Sequence, residues 1–363
     1  MLALLLLTGP VAAELRVVRV LPETVYAEQD PRGWRLNFDV ILENSGPAPA
    51  VINYLELEAF DADGRLVTRV HMGGGGLPPA VEMVPRRVIP VGERLHLFNP
   101  FETLPADLDF ETIRFAVHHA GGRVVVPIRP SKDVPFVLPV LPFGGELFVE
   151  SGADLRSANR RVSLTDPRQQ IQGRERISER HALDLTRIDR VGAYREGDRT
   201  DPESWFAWDV EVRSPAVATV VSVRDGIPDN RLLADGGVER GTRDLDDAAF
   251  LLGNHVVLDI GRGVFLVVAH LREGSVAVRP GDAVWEGALL GRIGMSGQTT
   301  YPHLRIQLQR GPDVLDAEPV PLVFACVRDI GGNLRRPAWL TTGDRVRACE
   351  IGQDGRRLRE DRR

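Results

Sequence analysis

The sequence predicts a chain that is built from β-strands, and three observations support this fold class. Short segments in which apolar and polar residues alternate recur along the chain. Gly- and Pro-containing turns separate these segments. The chain has 363 residues, of which 43% are hydrophobic, which is enough to form the cores of two domains of ordinary size. We therefore expect an all-β protein with two globular units.

The composition narrows the classes of function. The formal net charge is -6 and 26% of the residues are charged, so basic side chains are not in excess. A surface dedicated to nucleic acid normally requires such an excess. We therefore expect no nucleic-acid partner.

The first residues resemble an export signal. Leu2 to Leu7 form an apolar run, and Val11-Ala12-Ala13 is similar to a signal-peptidase cleavage site. This pattern predicts a signal peptide over residues 1–13 and a periplasmic or extracellular location. A buried first strand is the alternative. The run is shorter than the roughly 20 apolar residues that a membrane-spanning helix requires, and no other stretch reaches that length, so no integral membrane span is expected.

Residues 14–128 show the two-residue period of half-buried strands. The first such strand places apolar side chains on one face (Trp34, Leu36, Phe38, Val40 and Leu42) and polar ones on the other (Arg35, Asn37, Asp39 and Glu43). Further strands are expected at 55–59, 95–98 and 113–117, with a flexible loop at 73–79. Short strands at this spacing predict an immunoglobulin-like β-sandwich.

The remainder of the chain divides into three segments. Residues 129–142 contain four prolines and predict an extended linker, because proline disfavours helix and donates no ladder hydrogen bond. Residues 143–325 are expected to form a second antiparallel β domain, followed by a C-terminal extension over 326–363. Within this domain we expect strands at 255–258, 264–270, 289–293 and 303–309. The charged insertion at 225–252 is our candidate for selecting a partner or substrate.

Four motifs in this second domain occur in an order typical of one enzyme family. They are GNHVV at 253–257, AHL at 269–271, GD.V..G..LG..G.SG.T at 281–299 and PHL at 302–304. In this order they resemble the lysostaphin-type or LytM-type zinc peptidases, family twenty-three of the metallopeptidases, and the resemblance covers roughly residues 135–325. It implies a LytM/lysostaphin-type antiparallel β-sheet peptidase domain that acts on peptides of bacterial peptidoglycan.

The resemblance also implies a set of site residues. The family holds Zn²⁺ with three protein ligands and leaves a fourth position for the water that attacks the peptide bond. Asp184 corresponds to the ligand Asp. His303 corresponds to the first His of a His-x-His pair, and His270 to the other catalytic His.

Two of the three expected ligands are absent. Arg180 and Arg305 occupy the positions of the first and third ligands. A guanidinium has no free lone pair, so neither side chain can bind zinc. We expect Arg305 to pair with Asp184 through two hydrogen bonds and to take the electrostatic place of the metal.

His181 offers an alternative ligand. A local shift would combine it with Asp184 and His303 into an improvised ligand set. In an extended strand, however, the odd spacing from Asp184 places His181 on the opposite face. Its simplest interpretation is a partly buried residue without chemistry.

Two further features concern the framework of the site. Gly294, Ser296, Gly297 and Thr299 predict a tight turn that shapes the rim of the cleft. Cys326 and Cys349 are the only cysteines, and their spacing excludes a Cys-based metal site. In an oxidising compartment they are candidates for one disulfide, and two free thiols are the alternative.

Two classes of function follow from the resemblance. In the first, the domain is a noncatalytic pseudoenzyme that binds peptidoglycan or its peptides, or regulates another cell-wall hydrolase, and needs no metal. In the second, it is an active zinc metalloendopeptidase with an atypical ligand set. Arg180 and Arg305 favour the first class.

Overall fold

The computed structural model describes residues 13–30, 32–73, 87–133, 138–171, 173–241 and 247–349. Strands dominate these residues, which confirms the predicted all-β fold class. The chain divides into two compact units, residues 1–134 with 163–173 and residues 135–162 with 174–363. No helix among the described residues is long and apolar enough to cross a membrane.

The first unit contains two sheets that share one hydrophobic core. Strands β1, β4 and β8 form one sheet, and β11, β10, β5 and β6 form the other, with β7 paired to β5; β2, β3 and β9 form a smaller third sheet. The bounds are β1 Leu15–Leu21, β2 Ala27–Asp30, β3 Gly33–Leu36, β4 Asp39–Asn44, β5 Ala50–Phe60, β6 Leu66–Gly73, β7 Val88–Ile89, β8 Arg94–Phe98, β9 Thr103–Leu104, β10 Thr112–His119, β11 Gly122–Ile128 and helix α1 Pro167–Ile171. Buried side chains of both large sheets, such as Val40 and Phe115, meet in this core. The immunoglobulin-like topology stays a prediction.

The prediction of one strand from Trp34 to Glu43 is wrong in two respects. It is interrupted at residues 37–38, so that β3 and β4 belong to different sheets. Its polar positions Arg35, Asn37 and Asp39 are buried and do not face water. Asp39 lies 3.1 Å from Nε2 of His96, whose Nδ1 accepts a hydrogen bond from the backbone N–H of Leu164. Alternation predicted strand structure here, but polar partners from distant segments cover the second face.

The Leu164 contact explains a further difference in organisation. Residues 163–173 were expected in the second domain, but they group with the first unit. The boundary after residue 134 lies within the expected linker at 129–142.

The second unit is organised by one large sheet. Its strand order is β20-β15-β18-β19-β22-β13-β12-β26-β24-β25, with β23 paired to β22. The bounds are β12 Glu146–Ser151, β13 Leu183–Ile188, β14 Glu211–Arg213, β15 Ala218–Arg224, β16 Arg231–Leu232, β17 Val238–Glu239, β18 Asn254–Asp259, β19 Val264–Leu271, β20 Ala283–Val284, β21 Leu289–Arg292, β22 Leu304–Arg310, β23 Glu318–Val320, β24 Val327–Asp329, β25 Leu334–Arg335, β26 Arg345–Ala348, helix α2 Asp247–Leu252 and 3₁₀ turns η1 Ser178–His181 and η2 Pro202–Ser204. The four strands expected in this domain coincide closely with β18, β19, β21 and β22.

The two faces of the central strands differ in what they bury. One face carries the main apolar core, to which β22 contributes Leu304 and Ile306. Because side chains alternate along a strand, Arg305 and Gln307 lie on the opposite face. A smaller apolar cluster that includes Val267 and Ala269 covers part of that face. The polar residues of the expected site therefore lie beside this smaller cluster.

The segment after Cys326 belongs to the same sheet. Strand β26 pairs with β12, and β24 pairs with β26. Cys326 and Cys349 form a disulfide across this segment. The charged insertion at 225–252 contains the β16–β17 hairpin and helix α2, and its residues 242–246 lie outside the described residues. Residues 1–12 of the expected signal peptide, residues 74–86 and the arginine-rich end at 350–363 also lie outside them.

Candidate functional site

The centre of the site is an ion pair between two neighbouring strands. Asp184 on β13 and Arg305 on β22 are direct partners in the antiparallel register. Nε of Arg305 donates to Oδ1 of Asp184 at 2.9 Å, and one terminal nitrogen donates to Oδ2 at 3.1 Å. Both side chains are at least nine-tenths buried. The pairing expected from the sequence is therefore present, with the bidentate geometry that a guanidinium and a carboxylate favour.

Asn159 is a third member of this group, and no motif in the sequence predicts its role. Its side-chain amide donates to Oδ2 of Asp184 at 3.0 Å, and its carbonyl oxygen accepts from Arg305 at 2.7 Å. Asn159 lies in the irregular segment between β12 and η1, with no motif to mark it. The three side chains satisfy one another, as buried polar groups must. We call Asp184, Arg305 and Asn159 the central triad.

The charges of the central pair stabilise each other. Burial raises the pKa of Asp184, but the positive charge and hydrogen bonds of Arg305 outweigh it, so the net pKa lies far below its usual range. Burial lowers the pKa of Arg305, but the Asp184 carboxylate raises it by more, so the net pKa of Arg305 lies above its usual value. Asp184 is therefore ionised and Arg305 protonated at neutral pH.

A β-bulge directs His270 into the site. Ala269 and Leu271 pair with His255 and Asn254, so that His270 is the extra residue of β19. By simple alternation it would join Val268 in the opposite face. Its φ of 65° lies in the left-handed region, which non-glycine residues rarely adopt. As a result its ring packs edge-on against His303, with the centroids 4.9 Å apart.

Both histidines are anchored in the same way. Nδ1 of His270 lies 3.0 Å from the carbonyl oxygen of Ser296, and Nδ1 of His303 lies 2.9 Å from that of Tyr301. A carbonyl accepts, so Nδ1 carries the proton and Nε2 keeps its lone pair in each ring. Burial lowers the pKa of both rings below the ordinary value for histidine, most strongly for His270. Because pH 7 lies above both pKa values, both imidazoles are neutral at that pH.

The glycine-rich turn, which the sequence predicts to shape the rim of the site, contacts His270. The hydroxyl of Ser296 donates to the Leu271 carbonyl at 2.7 Å and accepts from the Asn254 N–H at 2.9 Å. A side chain on Gly253, with φ of 61°, would collide with Ser296. The turn thus holds the carbonyl that orients the His270 ring.

A second β-bulge places a carboxylate beside the site. Val149 and Ser151 pair with Leu185 and Asp184, so that Glu150 is the extra residue of β12. Burial raises the pKa of the Tyr194 and Tyr301 phenols, and the negative charge of the Glu150 carboxylate raises both further. No pattern in the sequence marks Glu150, because a bulge is visible only in the strand register.

Aromatic rings form the wall next to Glu150. The ring of Tyr301 is stacked on Trp205, with centroids 5.6 Å apart and an interplanar angle of 10°. It also contacts the rings of Tyr194 and His303, at centroid distances of 6.0 and 5.4 Å. The guanidinium of Arg195 lies 5.7 Å from the centroid of the Trp205 ring, within the range of a cation–π contact.

Arg180 and His181 do not lie in a β-strand. Both belong to the turn η1 and are buried. His181 lies in a 3₁₀ turn, so the prediction that its odd spacing places it opposite Asp184 on a strand is wrong in its premise. Among the described residues, the group able to hold a metal is Asp184, His270 and His303, whose ligand atoms lie within 4.8 Å of one another. His181 is not part of this group.

The residues of the site do not fit the zinc ion that the motifs imply. Both oxygens of Asp184 already accept hydrogen bonds, and Arg305 provides the positive charge that balances it. A divalent ion bound by His270 and His303 would lie close to a guanidinium that cannot lose its proton. One carboxylate would then face three positive charges. The central triad instead pairs one negative with one positive charge, and its three side chains bond to one another.

Comparison with known proteins agrees with the motifs. Residues 233–317 match the model of peptidase family M23, a range that includes His270, His303 and Arg305. Among the curated proteins, none matches this chain.

Several solved structures are similar to parts of this chain. A peptidase M23 of Pseudomonas aeruginosa is 14% identical, with 70% of this chain and 82% of that chain covered and a TM-score of 0.27. The catalytic domain of lysostaphin from Staphylococcus simulans is 18% identical, with 35% and 88% covered and a TM-score of 0.22. A chain of a SpoIIIAH–SpoIIQ complex is 15% identical, with 52% and 96% covered and a TM-score of 0.28. The family match and the four motifs agree, and the segment at 233–317 is that of a peptidase family M23 domain.

Proposed function

We propose that this chain is an exported, peptidoglycan-directed protein whose M23 domain is noncatalytic. It acts by binding peptidoglycan or its peptides, or by regulating another cell-wall hydrolase. The observation that carries the proposal is the central triad of Asp184, Arg305 and Asn159. In this triad Asp184, the one expected ligand that is present, is bonded to the guanidinium of Arg305 and to Asn159.

The energetics of the triad argue against its rearrangement to admit a metal. Separating Arg305 from Asp184 would leave two opposite charges buried without partners, at a cost of about 3–5 kcal/mol for each broken pair. The amide of Asn159 would lose both partners as well. A metal ion could therefore bind Asp184 only by displacing hydrogen bonds that the three side chains of the triad already make with one another.

Export is supported by the apolar run at Leu2 to Leu7 and by the disulfide between Cys326 and Cys349. Disulfides persist in oxidising compartments and are rare in the cytosol. A periplasmic or extracellular location also places the protein where peptidoglycan is found.

One observation favours the second function, an active zinc endopeptidase. Asp184, His270 and His303 converge within 4.8 Å, as three ligands of a catalytic metal would. This function requires Arg305 to leave Asp184 when the metal binds.

The two functions are separated by activity on isolated peptidoglycan. The purified chain is incubated with insoluble peptidoglycan, with and without a chelator, alone and with a cell-wall amidase. We expect the chain to sediment with the polymer or to raise the amidase rate, and to release no peptides by itself. Chelator-sensitive release by the chain alone would refute the noncatalytic proposal. Absence of both sedimentation and stimulation would refute its binding and regulatory roles.

A further inference from the structure

The sheet face that carries the central triad continues across three more strands. On β12, β26 and β24 the core is formed by Leu147, Val346 and Val327. Because side chains alternate along a strand, the neighbours of these residues lie on the opposite face, together with Asp184 and Arg305. These neighbours are Phe148 and three arginines that we call the arginine row, Arg345, Arg347 and Arg328. One face of the large sheet therefore connects the central triad to the arginine row.

Two arginines of the row oppose each other directly. Arg328 on β24 and Arg347 on β26 are partners in the antiparallel register. The Cβ atoms of such partners lie about 4.5–5.5 Å apart, and like charges at this distance destabilise the sheet. Nη1 of Arg328 donates to the backbone oxygen of Gly332 at 2.9 Å, and no carboxylate among the described residues forms an ion pair with it. An anion bound between the two guanidinium groups would relieve their repulsion.

The other contacts of the row do not remove the excess of positive charge. Glu146 accepts a hydrogen bond from Nη2 of Arg347 at 2.8 Å and a second one from Arg345. The side chain of Arg347 is still 51% exposed. Asp189 and Arg190, whose backbone oxygens accept from Arg345, add one charge of each sign. Three guanidinium groups thus share the single carboxylate of Glu146.

Ring contacts fill the distance between the histidines and the row. The ring of Tyr301 contacts those of His303 and Tyr194, at centroid distances of 5.4 and 6.0 Å. Tyr194 contacts Phe148 at 5.9 Å, and Phe148 is the register partner of Arg345. Four strand spacings, about 19 Å, separate β22 from β24. An extended peptide covers this distance with about six residues.

We propose that the arginine row binds the carboxylate end of a peptide that lies across these rings towards His303. A carboxylate forms charge-assisted, bidentate hydrogen bonds with guanidinium groups, and it supplies the negative charge that Arg328 lacks. Strands β24 and β26 lie outside the segment 233–317 that matches the family, so the row is a feature of the C-terminal extension. The inference rests on the proposed function, because it names the end of the peptide that a noncatalytic domain would hold.

The test is calorimetric titration of the wild-type chain at low ionic strength, which keeps the screening of exposed charges small. The probes are N-acetyl-trialanine, its C-terminal amide and inorganic phosphate. We expect the acid to bind at least about fivefold more tightly than the amide, because only the acid carries a charge for the row. Equal binding of the two peptides would overturn the proposal. Phosphate that binds as tightly as the acid would overturn the assignment to a peptide, because the row would then hold any small anion.

Variants test the role of Arg328. Arg328→Gln should weaken binding of the acid by at least about fivefold and leave binding of the amide unchanged. The matched control is Arg279→Gln, which removes the same charge from an exposed position next to β20, at the opposite end of the sheet. This control should bind the acid as the wild-type chain does. An equal effect of the two variants would overturn the assignment.

Urea unfolding without ligand separates a binding role of Arg328 from a structural one. Arg328→Gln removes the repulsion with Arg347, so the midpoint of unfolding should stay the same or rise. A clear fall of the midpoint would make Arg328 a structural residue and overturn the proposal. Failure of the titration in a chain that still sediments with peptidoglycan would refute the carboxylate site alone. Chelator-sensitive cleavage of peptidoglycan would instead refute the proposed function.

Discussion

Asp184 and Arg305 face each other directly across strands β13 and β22 and are joined by two hydrogen bonds of 2.9 and 3.1 Å. In a zinc peptidase of the family that the motifs indicate, these positions would hold two ligands of the metal. Here the second position supplies a fixed positive charge. Asn159 bonds to both partners, so the centre is complete without an ion.

Removal of the carboxylate should be costly for stability. Asp184→Asn leaves Arg305 buried without its counter-ion, and we expect the free energy of unfolding to fall by about 3–5 kcal/mol. Urea unfolding followed by circular dichroism measures this change. The exposed pair of Arg231 and Glu239 is the control, since Glu239→Gln should cost at most about 1 kcal/mol. Similar costs for the two substitutions would contradict the structural role of the central pair.

Removal of both charges should cost less than removal of one. In the double variant Asp184→Leu with Arg305→Leu, no unpaired charge stays buried, so much of the lost stability should return. A double-mutant cycle in urea gives the coupling energy between the two positions. A coupling near zero would mean that the two side chains do not depend on each other.

Replacement of Arg305 should open the site to metal. In Arg305→His the guanidinium is lost and an imidazole enters beside Asp184, so we expect affinity for zinc to rise, and to rise further with Arg180→His added. Zinc titration against a competing chelator measures both changes. Arg310→His, at the exposed end of the same strand, is the matched control. If neither variant gains affinity over the control, the backbone of η1 or Asn159 also closes the site.

The histidines predict how stability depends on pH. Burial lowers the pKa of His270 and His303 in the folded state. Once the pH falls below about 6.5, the ordinary pKa of histidine, the unfolded chain therefore binds more protons than the folded chain. Stability contributed by the neutral rings is therefore fully present above that pH and declines as the pH falls. Urea unfolding from pH 8 to pH 5 should show this decline, and it should be smaller in His270→Gln. An unchanged slope in the variant would count against a buried neutral ring.

The backbone of His270 makes a separate prediction. At a φ of 65° glycine is favoured over alanine, so His270→Gly should be more stable than His270→Ala by about 1 kcal/mol. The order should reverse at the exposed strand position Thr219, where the alanine variant should be the more stable. Thermal unfolding of the four variants tests this. The same order at both positions would contradict the left-handed conformation.

Local patterns in the sequence predicted the parts of the fold that depend on local chemistry. Alternation located β18, β19 and β22 closely, and the resemblance to zinc peptidases implied that His270, His303 and Asp184 are neighbours. The pairing of Arg305 with Asp184 followed from the residue types at two ligand positions. The strands depend on side-chain period, which the sequence shows directly, whereas the site residues were implied by the resemblance together with the opposite charges of Asp184 and Arg305.

The missed features depend on contacts between distant segments. Asn159 reaches the central pair from an irregular segment, and Glu150 is the extra residue of a bulge where β12 pairs with β13. Neither leaves a local pattern. Asp39 is buried because polar partners that are far away in sequence cover it. His181 lies in a 3₁₀ turn, where the two-residue period of a strand does not apply.

The most direct test of the noncatalytic site is the metal content of the purified chain. The protein is saturated with zinc, passed through a desalting column and analysed by inductively coupled plasma mass spectrometry, with the variant that carries both Arg180→His and Arg305→His as a positive control. The account predicts far less than one zinc per wild-type chain and a clear gain in the variant. One tightly held zinc per wild-type chain would contradict it, because Arg305 would then have yielded its place beside Asp184.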